Sequence, residues 1–309
     1  MRVGFIGLGS MSNAVSRNIL RAGFDLVVHD VRAEAQEPLV AAGATAAATP
    51  KQVIELCDVV GTMVFGPKEI EAVARGEEGL FAGNCDGKVW LDLTTSRPVL
   101  MRELGVAFSE MGGQPVDAPV TGSLRSAIRG DMIMFVGGTD DAVARARPVL
   151  DAIGEARRVG GHGNGYVAKL VNNQLWKIHA AAVGEAMVTA KLAGLEPEVW
   201  WEVMKGGAAD SFVLHHDVPA VFAGHYDPSF RLALCLKDLD LIAELLEQTG
   251  TRADLTQATH ERFREAARRY GEDAGDMSVC RVIEGDAGVE LRVERDWVAP
   301  WEVKHASEA

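Results

Sequence analysis

The chain has 309 residues, 48% hydrophobic and 24% charged, with a formal net charge of −13, which predicts a globular protein of two lobes because single cores stop growing near this size. The acidic balance argues against a nucleic-acid partner, since affinity for a phosphate backbone comes largely from Lys and Arg displacing counterions. The opening Met1-Arg2-Val3-Gly4-Phe5-Ile6 is too short an apolar run for a signal peptide, and no run is long enough to cross a bilayer; a cytoplasmic protein without a membrane partner is expected.

From Arg2 to about Val159, short β-branched runs alternate with helical patterns, the signature of βαβ units and a parallel sheet. Strands are expected at Val3–Gly7, Leu26–Asp30, Val59–Val64, Val89–Leu93, Gln114–Asp117 and Met132–Val136. Helices are expected at Met11–Ala22, Pro98–Met111 and Asp140–Ile153. After Gly160-Gly161-His162-Gly163-Asn164-Gly165 the strand signal stops, and Tyr166 to about Ala193 reads as one long helix. Helical patterns resume at Pro197–Lys205 and run through Leu239–Gln248 to Arg269, bounded by Gly, Pro or Asp. The predicted fold is α/β: a Rossmann-type doubly wound sheet over 1–160, then an all-helical domain over 161–280 entered by the long helix. An extension over 281–309 stands apart. There Val289, Leu291 and Val293 alternate with charged residues as in a half-buried strand, and Trp297 and Trp301 follow. It reads either as an arm packing on a partner subunit or over the site, or as an edge hairpin without catalytic role. Cys57, Cys85, Cys235 and Cys280 lie far apart with no CxxC spacing, so buried reduced thiols are expected.

Gly7-Leu8-Gly9-Ser10-Met11-Ser12 follows the first strand and opens the first helix. In a dinucleotide loop the first glycine permits a tight turn. The second lets a pyrophosphate approach the backbone, where unpaired N–H groups and the helix dipole hold it. The third position, normally glycine, is Ser12, the smallest polar substitute. Asp30 closes the second strand 21 residues after Gly9, close to the spacing of about 20 expected of such a fingerprint. A carboxylate here accepts the ribose hydroxyls and repels a 2′-phosphate, which favours NAD. Arg32 could instead pair with a 2′-phosphate or stack on adenine, so NADP is the alternative.

Farther on, a strand ends at Asp117 and the chain turns through Pro119 into Thr121-Gly122-Ser123. Such a turn offers N–H groups and hydroxyls that suit a small carboxylate, or it is an ordinary polar turn. Lys169 and Asn173 stand four residues apart on the predicted long helix and share one face. A lysine on an apolar helix is by itself more often a surface residue with a buried stem. Met63-Val64-Phe65 lies at the end of the third expected strand, and Thr95 follows the fourth.

With Gly4-Phe5-Ile6-Gly7-Leu8-Gly9, Asp117-Ala118-Pro119-Val120-Thr121-Gly122-Ser123, Gly163-Asn164-Gly165 with Lys169 and Asn173, and Lys237-Asp238-Leu239 in this order, the chain resembles the β-hydroxyacid dehydrogenases from about residue 1 to 280. This is the family of 3-hydroxyisobutyrate dehydrogenase and of the tartronate semialdehyde and glyoxylate/succinic semialdehyde reductases. The resemblance implies reversible oxidation of a small hydroxy acid by a nicotinamide dinucleotide, with Lys169 as general acid and base and Asn173 orienting the substrate. It implies that Thr121, Gly122 and Ser123 hold the substrate acid, although the family usually has Ser at Thr121 and Gly at Ser123. Lys237 would add a positive charge near cofactor and substrate, while Met63, Val64, Phe65 and Thr95 match places where the family touches the nicotinamide half. A homodimer or homotetramer is implied as well. Imine reductases share this architecture but generally carry another residue at the Lys169 position, and non-catalytic nuclear relatives lack the lysine. Adjacent His215-His216-Asp217 does not have metal-ligand spacing. Trp200 and Trp201 read as core or interface, and Trp176 as core or as a wall of the substrate pocket.

Overall fold

The computed structural model describes residues 1–295. They divide into two compact units, Met1–Lys169 and the chain from Leu170 on. In the first unit the described residues form one sheet from β1 (Arg2–Ile6), β2 (Asp25–His29), β3 (Thr45–Ala46), β4 (Val59–Thr62), β5 (Val89–Asp92), β6 (Gln114–Asp117), β7 (Val120–Thr121), β8 (Met132–Gly137) and β9 (Gly154–Gly160). Its order is β3-β2-β1-β4-β5-β6-β8-β7, with β9 on the other side of β8. Strands β1 to β6 run parallel, whereas β8 is antiparallel to β6 and β7.

Both faces of this sheet are covered, and the strand residues show why. Val3, Phe5, Leu26, Val28, Val59, Leu91 and Val116 pack into one buried cluster with Val15 and Ile19 of the Ser10–Arg21 helix and with Val149 and Leu150 of the Asp140–Ile153 helix. Their neighbours Ile6, Val27, Val60 and Trp90 point to the opposite face. There they meet Ile54, Ile70, Leu104 and Phe108 from the helices Pro50–Leu56, Pro67–Arg75 and Pro98–Glu110. The period of two thus appears as alternation between two apolar layers, and the strands read as continuous apolar runs. Strands β3, β7 and β9 escaped the sequence reading for physical reasons. The first two are only two residues long, and β9, Gly-Glu-Ala-Arg-Arg-Val-Gly, is a largely exposed edge with charged side chains.

The second unit is helical. Its core is one cluster that includes Leu170, Met187, Trp200, Trp201, Phe222, Leu239, Ile242, Phe263 and Val279. It is built from the 29-residue helix Asn164–Leu192, the helices Pro197–Met204, Phe212–His216 and Val218–Phe222, and three later helices, Leu232–Thr249, Asp254–Tyr270 and Ser278–Ala287. The Leu232–Thr249 helix starts well before Leu239 because Leu232-Ala233-Leu234-Cys235-Leu236 is apolar without a helical period, so its first turns carry no amphipathic signal.

The extension requires a correction. Residues 281–287 continue a helix, and the strand expected over Val289, Leu291 and Val293 has no ladder. After a left-handed turn at Gly288 the chain folds back on its own unit. The Leu291 N–H donates to Glu284 Oε1 (2.8 Å) and the Val293 N–H to the Phe222 carbonyl (3.1 Å). The alternation is real, but it seats Leu291 in the helical core, with Val289 and Val293 packed at its margin. Trp297 and Trp301 lie outside the described residues. Replacing Leu291 with Ala should therefore cost about 2–5 kcal/mol of unfolding free energy, as for a core leucine. Urea titration checks this, and a loss below about 0.5 kcal/mol would mark the segment as peripheral.

Candidate active site

The cofactor-type residues meet where the sheet order reverses. From β1 the chain winds outward to β2 and β3, then returns to place β4 on the other side of β1. The carboxyl ends of β1 and β4 therefore flank the crevice in which open α/β sheets take ligands. Gly7, with φ +88°, makes the turn there, and a Cβ on it would lie 2.3 Å from the Met63 carbonyl oxygen. Gly9 is different. A Cβ on Gly9 would meet only Ser12 Oγ, at 3.9 Å, so no protein atom requires glycine here. The open space lies at the N-terminus of the Ser10–Arg21 helix, where unpaired N–H groups of Ser10, Met11 and Ser12 suit an anion such as a dinucleotide pyrophosphate. Ser12 is buried and its hydroxyl donates to the Met63 carbonyl (3.3 Å), so the departure from glycine is used to tie helix to turn.

Asp30 is nearly buried. One of its oxygens accepts the Leu8 N–H (2.7 Å), and the other accepts the backbone N–H and Nε of Arg32 (2.9 and 3.2 Å). Burial works against its ionisation, yet these hydrogen bonds from Arg32 and Leu8 hold its carboxyl below the ordinary range. Arg32 is thus turned onto Asp30, beside a persistent anion. At the next strand ends the Val64 N–H donates to Thr94 Oγ1 (3.2 Å), which joins the Met63-Val64-Phe65 turn to the Thr94-Thr95 segment. These residues fit a nicotinamide dinucleotide laid across the strand ends.

Two buried carboxylates secure the start of the long helix. Asp117, at the end of β6, accepts the N–H groups of Gly163 (2.9 Å) and Gly165 (2.5 Å). Burial pushes its carboxyl up, opposed by His162, whose Nε2 lies 4.0 Å away, and by those two N–H groups. Asp92, at the end of β5, accepts the hydroxyls of Thr62 (2.5 Å) and Tyr166 (2.9 Å), and Thr62 in turn accepts Trp90 Nε1–H (2.9 Å). Tyr166 stands one turn before Lys169, which is half-buried on the same helix. Thr121 closes β7 opposite Ile133, Gly122 turns with φ +125°, and Ser123 opens the short helix Leu124–Arg129.

In the helical unit, Asn173 and Lys237 come together on a side chain that the sequence reading noted only as part of a motif. Asp238 is buried. Its Oδ2 accepts Asn173 Nδ2–H (2.7 Å), and its Oδ1 faces Lys237 Nζ (2.9 Å). Lys177, one turn beyond Asn173 and also missed, approaches Oδ2 at 3.5 Å. An acidic residue within a lysine-bearing helix gives no sequence signal that separates it from a solvated surface pair. Trp176 donates its Nε1–H to Asp217 (2.8 Å), which also bonds His216 (2.7 Å), while His215 pairs with Asp210. Among the described residues, no group of three or more His, Cys, Asp and Glu could hold a metal ion, and no helix is long and apolar enough to cross a membrane.

Comparisons with known proteins bear on both units. Residues 2–163 match the family model described as the NAD binding domain of 6-phosphogluconate dehydrogenase, and residues 163–283 match that of the NAD-binding part of NADP-dependent 3-hydroxyisobutyrate dehydrogenase. The chain is 33% identical over 287 residues to L-threonate dehydrogenase of Cupriavidus necator, covering 92% of this chain and 96% of that one. It is 30% identical to 2-hydroxy-3-oxopropionate reductase of Escherichia coli, covering 92% and 97%. The crystal structure of 3-hydroxyisobutyrate dehydrogenase from Salmonella typhimurium aligns with a TM-score of 0.80 at 27% identity, covering 91% of this chain and 99% of that one.

The Asp92 network predicts a pH effect with a definite sign. Burial raises its carboxyl from the ordinary 3.8 to about 7, against the hydrogen bonds from Thr62, Thr94 and Tyr166. Below about pH 4 both folded and unfolded chains hold the proton. Between there and pH 7 only the unfolded chain releases it, so this site's contribution falls as pH rises, by up to about 4 kcal/mol, and stays lost above pH 7. Thermal melts should show a stability difference between pH 5 and pH 8 that shrinks in Asp92→Asn; an equal difference in both proteins would refute the assignment.

Proposed function

The chain belongs to the β-hydroxyacid dehydrogenase family, and on that premise we propose that it reversibly oxidises the hydroxyl of a small β-hydroxy acid to a semialdehyde or ketone with NAD, NADP being the alternative. The observation that carries the chemistry is Lys169. It is half-buried, on a helix whose first turn is held by Asp117 and by Asp92 through Tyr166, and it lies one turn from Asn173. Oxidising an alcohol requires a base for the hydroxyl proton at a fixed place, and a side chain on a clamped helix holds that place better than one on a loop.

In this reading Lys169 Nζ takes the hydroxyl proton during oxidation and returns it during reduction, while Asn173 orients the substrate. Thr121, Gly122 and Ser123 hold the substrate carboxylate, and Lys237 supplies a second positive charge. Gly7, Leu8, Gly9, Ser10 and Met11 hold the pyrophosphate, and Asp30 with Arg32 faces the adenosine ribose. Met63, Val64, Phe65 and Thr95 border the nicotinamide half. When bound, the nicotinamide ring accepts the hydride from the alcohol carbon or gives it back. Asp30, held ionised, supports NAD over NADP. Two of the relatives named above are named for small polyoxygenated acids, L-threonate and 2-hydroxy-3-oxopropionate, which supports a short, polar hydroxy acid as substrate. The four cysteines are buried free thiols, in keeping with the reducing cytoplasm as its location.

The long helix also supports self-association. Val171 (44% exposed) and Leu175 (54%) lie on its outer face above the exposed Ala182 and Ala186, and Leu255 (71%) is exposed on a neighbouring helix of the same unit. An apolar stripe of this kind, on a helix whose other face is buried, fits a second copy of the chain in a homodimer or homotetramer.

Assay at 340 nm against 3-hydroxyisobutyrate, glycerate, 4-hydroxybutyrate, serine, threonate and sulfonate analogues, with NAD and NADP separately, should identify a substrate. Lys169→Ala should then lose about 10²–10⁴-fold in turnover while NADH titration remains nearly unchanged; turnover retained in that variant contradicts the mechanism. Light scattering should report an oligomer that Leu175→Glu shifts toward monomer, and a wild-type monomer would overturn the self-association.

A further inference from the structure

Lysine is almost never fully buried unless paired, yet Lys177 is 0% exposed. It lies eight residues after Lys169 and four after Asn173 on one helix, on the side of that helix shared by both. Its ammonium meets Asp238 Oδ2 at the long distance of 3.5 Å and stands over the rings of Trp176 (5.1 Å) and Phe230 (6.0 Å). Three further buried carboxyl groups, Asp217, Asp227 and Asp276, belong to the same unit. Burial, then Asp217 and Asp227, drive the Asp276 carboxyl well up, and Lys177 acts in the opposite direction.

Stability does not account for this lysine. A buried ion pair typically contributes no more than a well-packed apolar pair of the same volume. What the arrangement supplies is orientation. Flanked by two ammonium groups, the Asp238 carboxylate is an acceptor only, so Asn173 can face it with its NH₂ side alone. The Asn173 Oδ1 then accepts Asn172 Nδ2–H (3.1 Å), which leaves the amide one orientation and one uncommitted N–H.

We propose that Lys177 is a positioning residue of the reaction, acting through Asp238 to lock the Asn173 amide and to balance Lys237 on the opposite carboxylate oxygen. This rests on the hydroxy-acid reading, in which Asn173 orients the substrate. Lys177 therefore governs how the substrate is held, not the proton transfer.

With saturating cofactor and the acid found by assay, Lys177→Met should raise KM at least about tenfold and change kcat less. In an Asn173→Ala background the same replacement should have no further effect on KM, since it acts through that side chain. The double variant K177M/D238N removes both fully buried charges of the pair and leaves only the partly exposed Lys237 without its carboxylate, so it should melt higher than Lys177→Met or Asp238→Asn alone without recovering KM. A pair with only a structural role would recover KM together with the melting temperature. Independently of turnover, nitrogen-15 asparagine labelling should show the Asn173 side-chain amide, assigned by its loss in Asn173→Ala, displaced from the solvent-exposed position in the wild type and returned toward it in Lys177→Met. A KM within about twofold of wild type, additive losses in the cycle, or an unchanged Asn173 signal overturns the proposal. A wild type that oxidises no hydroxy acid overturns the functional reading instead, and the amide signal still decides the lock.

Discussion

The arrangement of this molecule depends on one buried carboxylate taking the free N–H groups at the start of one helix. Asp117 ends a central strand, and its two oxygens accept the N–H groups of Gly163 and Gly165. A helix start leaves N–H groups without partners, and leaving them buried and unsatisfied costs on the order of 1–3 kcal/mol each. A carboxylate at the positive end of a helix meets that need and is itself favoured there. The fit is sterically specific, since a Cβ on Gly165 would lie 2.4 Å from the Asp117 carboxylate. The helix that starts here carries Lys169, Asn173 and Lys177 at intervals of four residues.

Buried polar groups act in a similar way elsewhere in each unit. In the sheet unit, Asp30 ties the Leu8 N–H to Arg32, Ser12 ties the first helix to Met63, and Asp92 gathers Thr62 and Tyr166. In the helical unit, Asp238 gathers Asn173, Lys177 and Lys237. Asp30, Asp92 and Asp238 act as acceptors that gather donors from other parts of the chain, and Ser12 acts as a donor to a carbonyl far from it in sequence. Apolar packing alone tolerates small shifts and alternative rotamers, whereas a satisfied buried polar network leaves few arrangements open. Asp30, Asn173 and Lys237, which carry roles in the proposed reaction, are held this way.

This division explains what could be read from the sequence. The sheet unit was legible because its strands are apolar runs separated by helical periods, and because Gly7, Gly9 and Asp30 have a spacing tied to their task. Ser12 and Arg32 were visible but not interpretable, since nothing local indicates that a hydroxyl reaches Met63 or that a guanidinium turns back onto Asp30. Asp238 and Lys177 were obscure for a stronger reason. Lysines and aspartates on helices are ordinarily solvated, and only the packing of two helices shows that these are buried. The tail misled because alternating burial does not require a strand: a chain laid over a helical core, held by Glu284 and Phe222, alternates as well.

The surroundings of Trp176 join packing to a polar contact in the same way. Trp176 is adjacent in sequence to Lys177, and its ring lies edge-on to Phe230 at 6.4 Å. Its indole N–H is committed to Asp217, which in turn bonds His216. The ring therefore cannot be treated as a movable wall whose size alone matters. Replacing it with a smaller side chain would open space, but it would also leave the buried Asp217 carboxylate without one of its donors, and that carboxylate lies near enough to Asp276 to raise it further. A change of side-chain size at Trp176 is thus coupled to the charge balance among Asp217, Asp276 and Lys177. Variants at Trp176 that ignore Asp217 alter electrostatics and shape together.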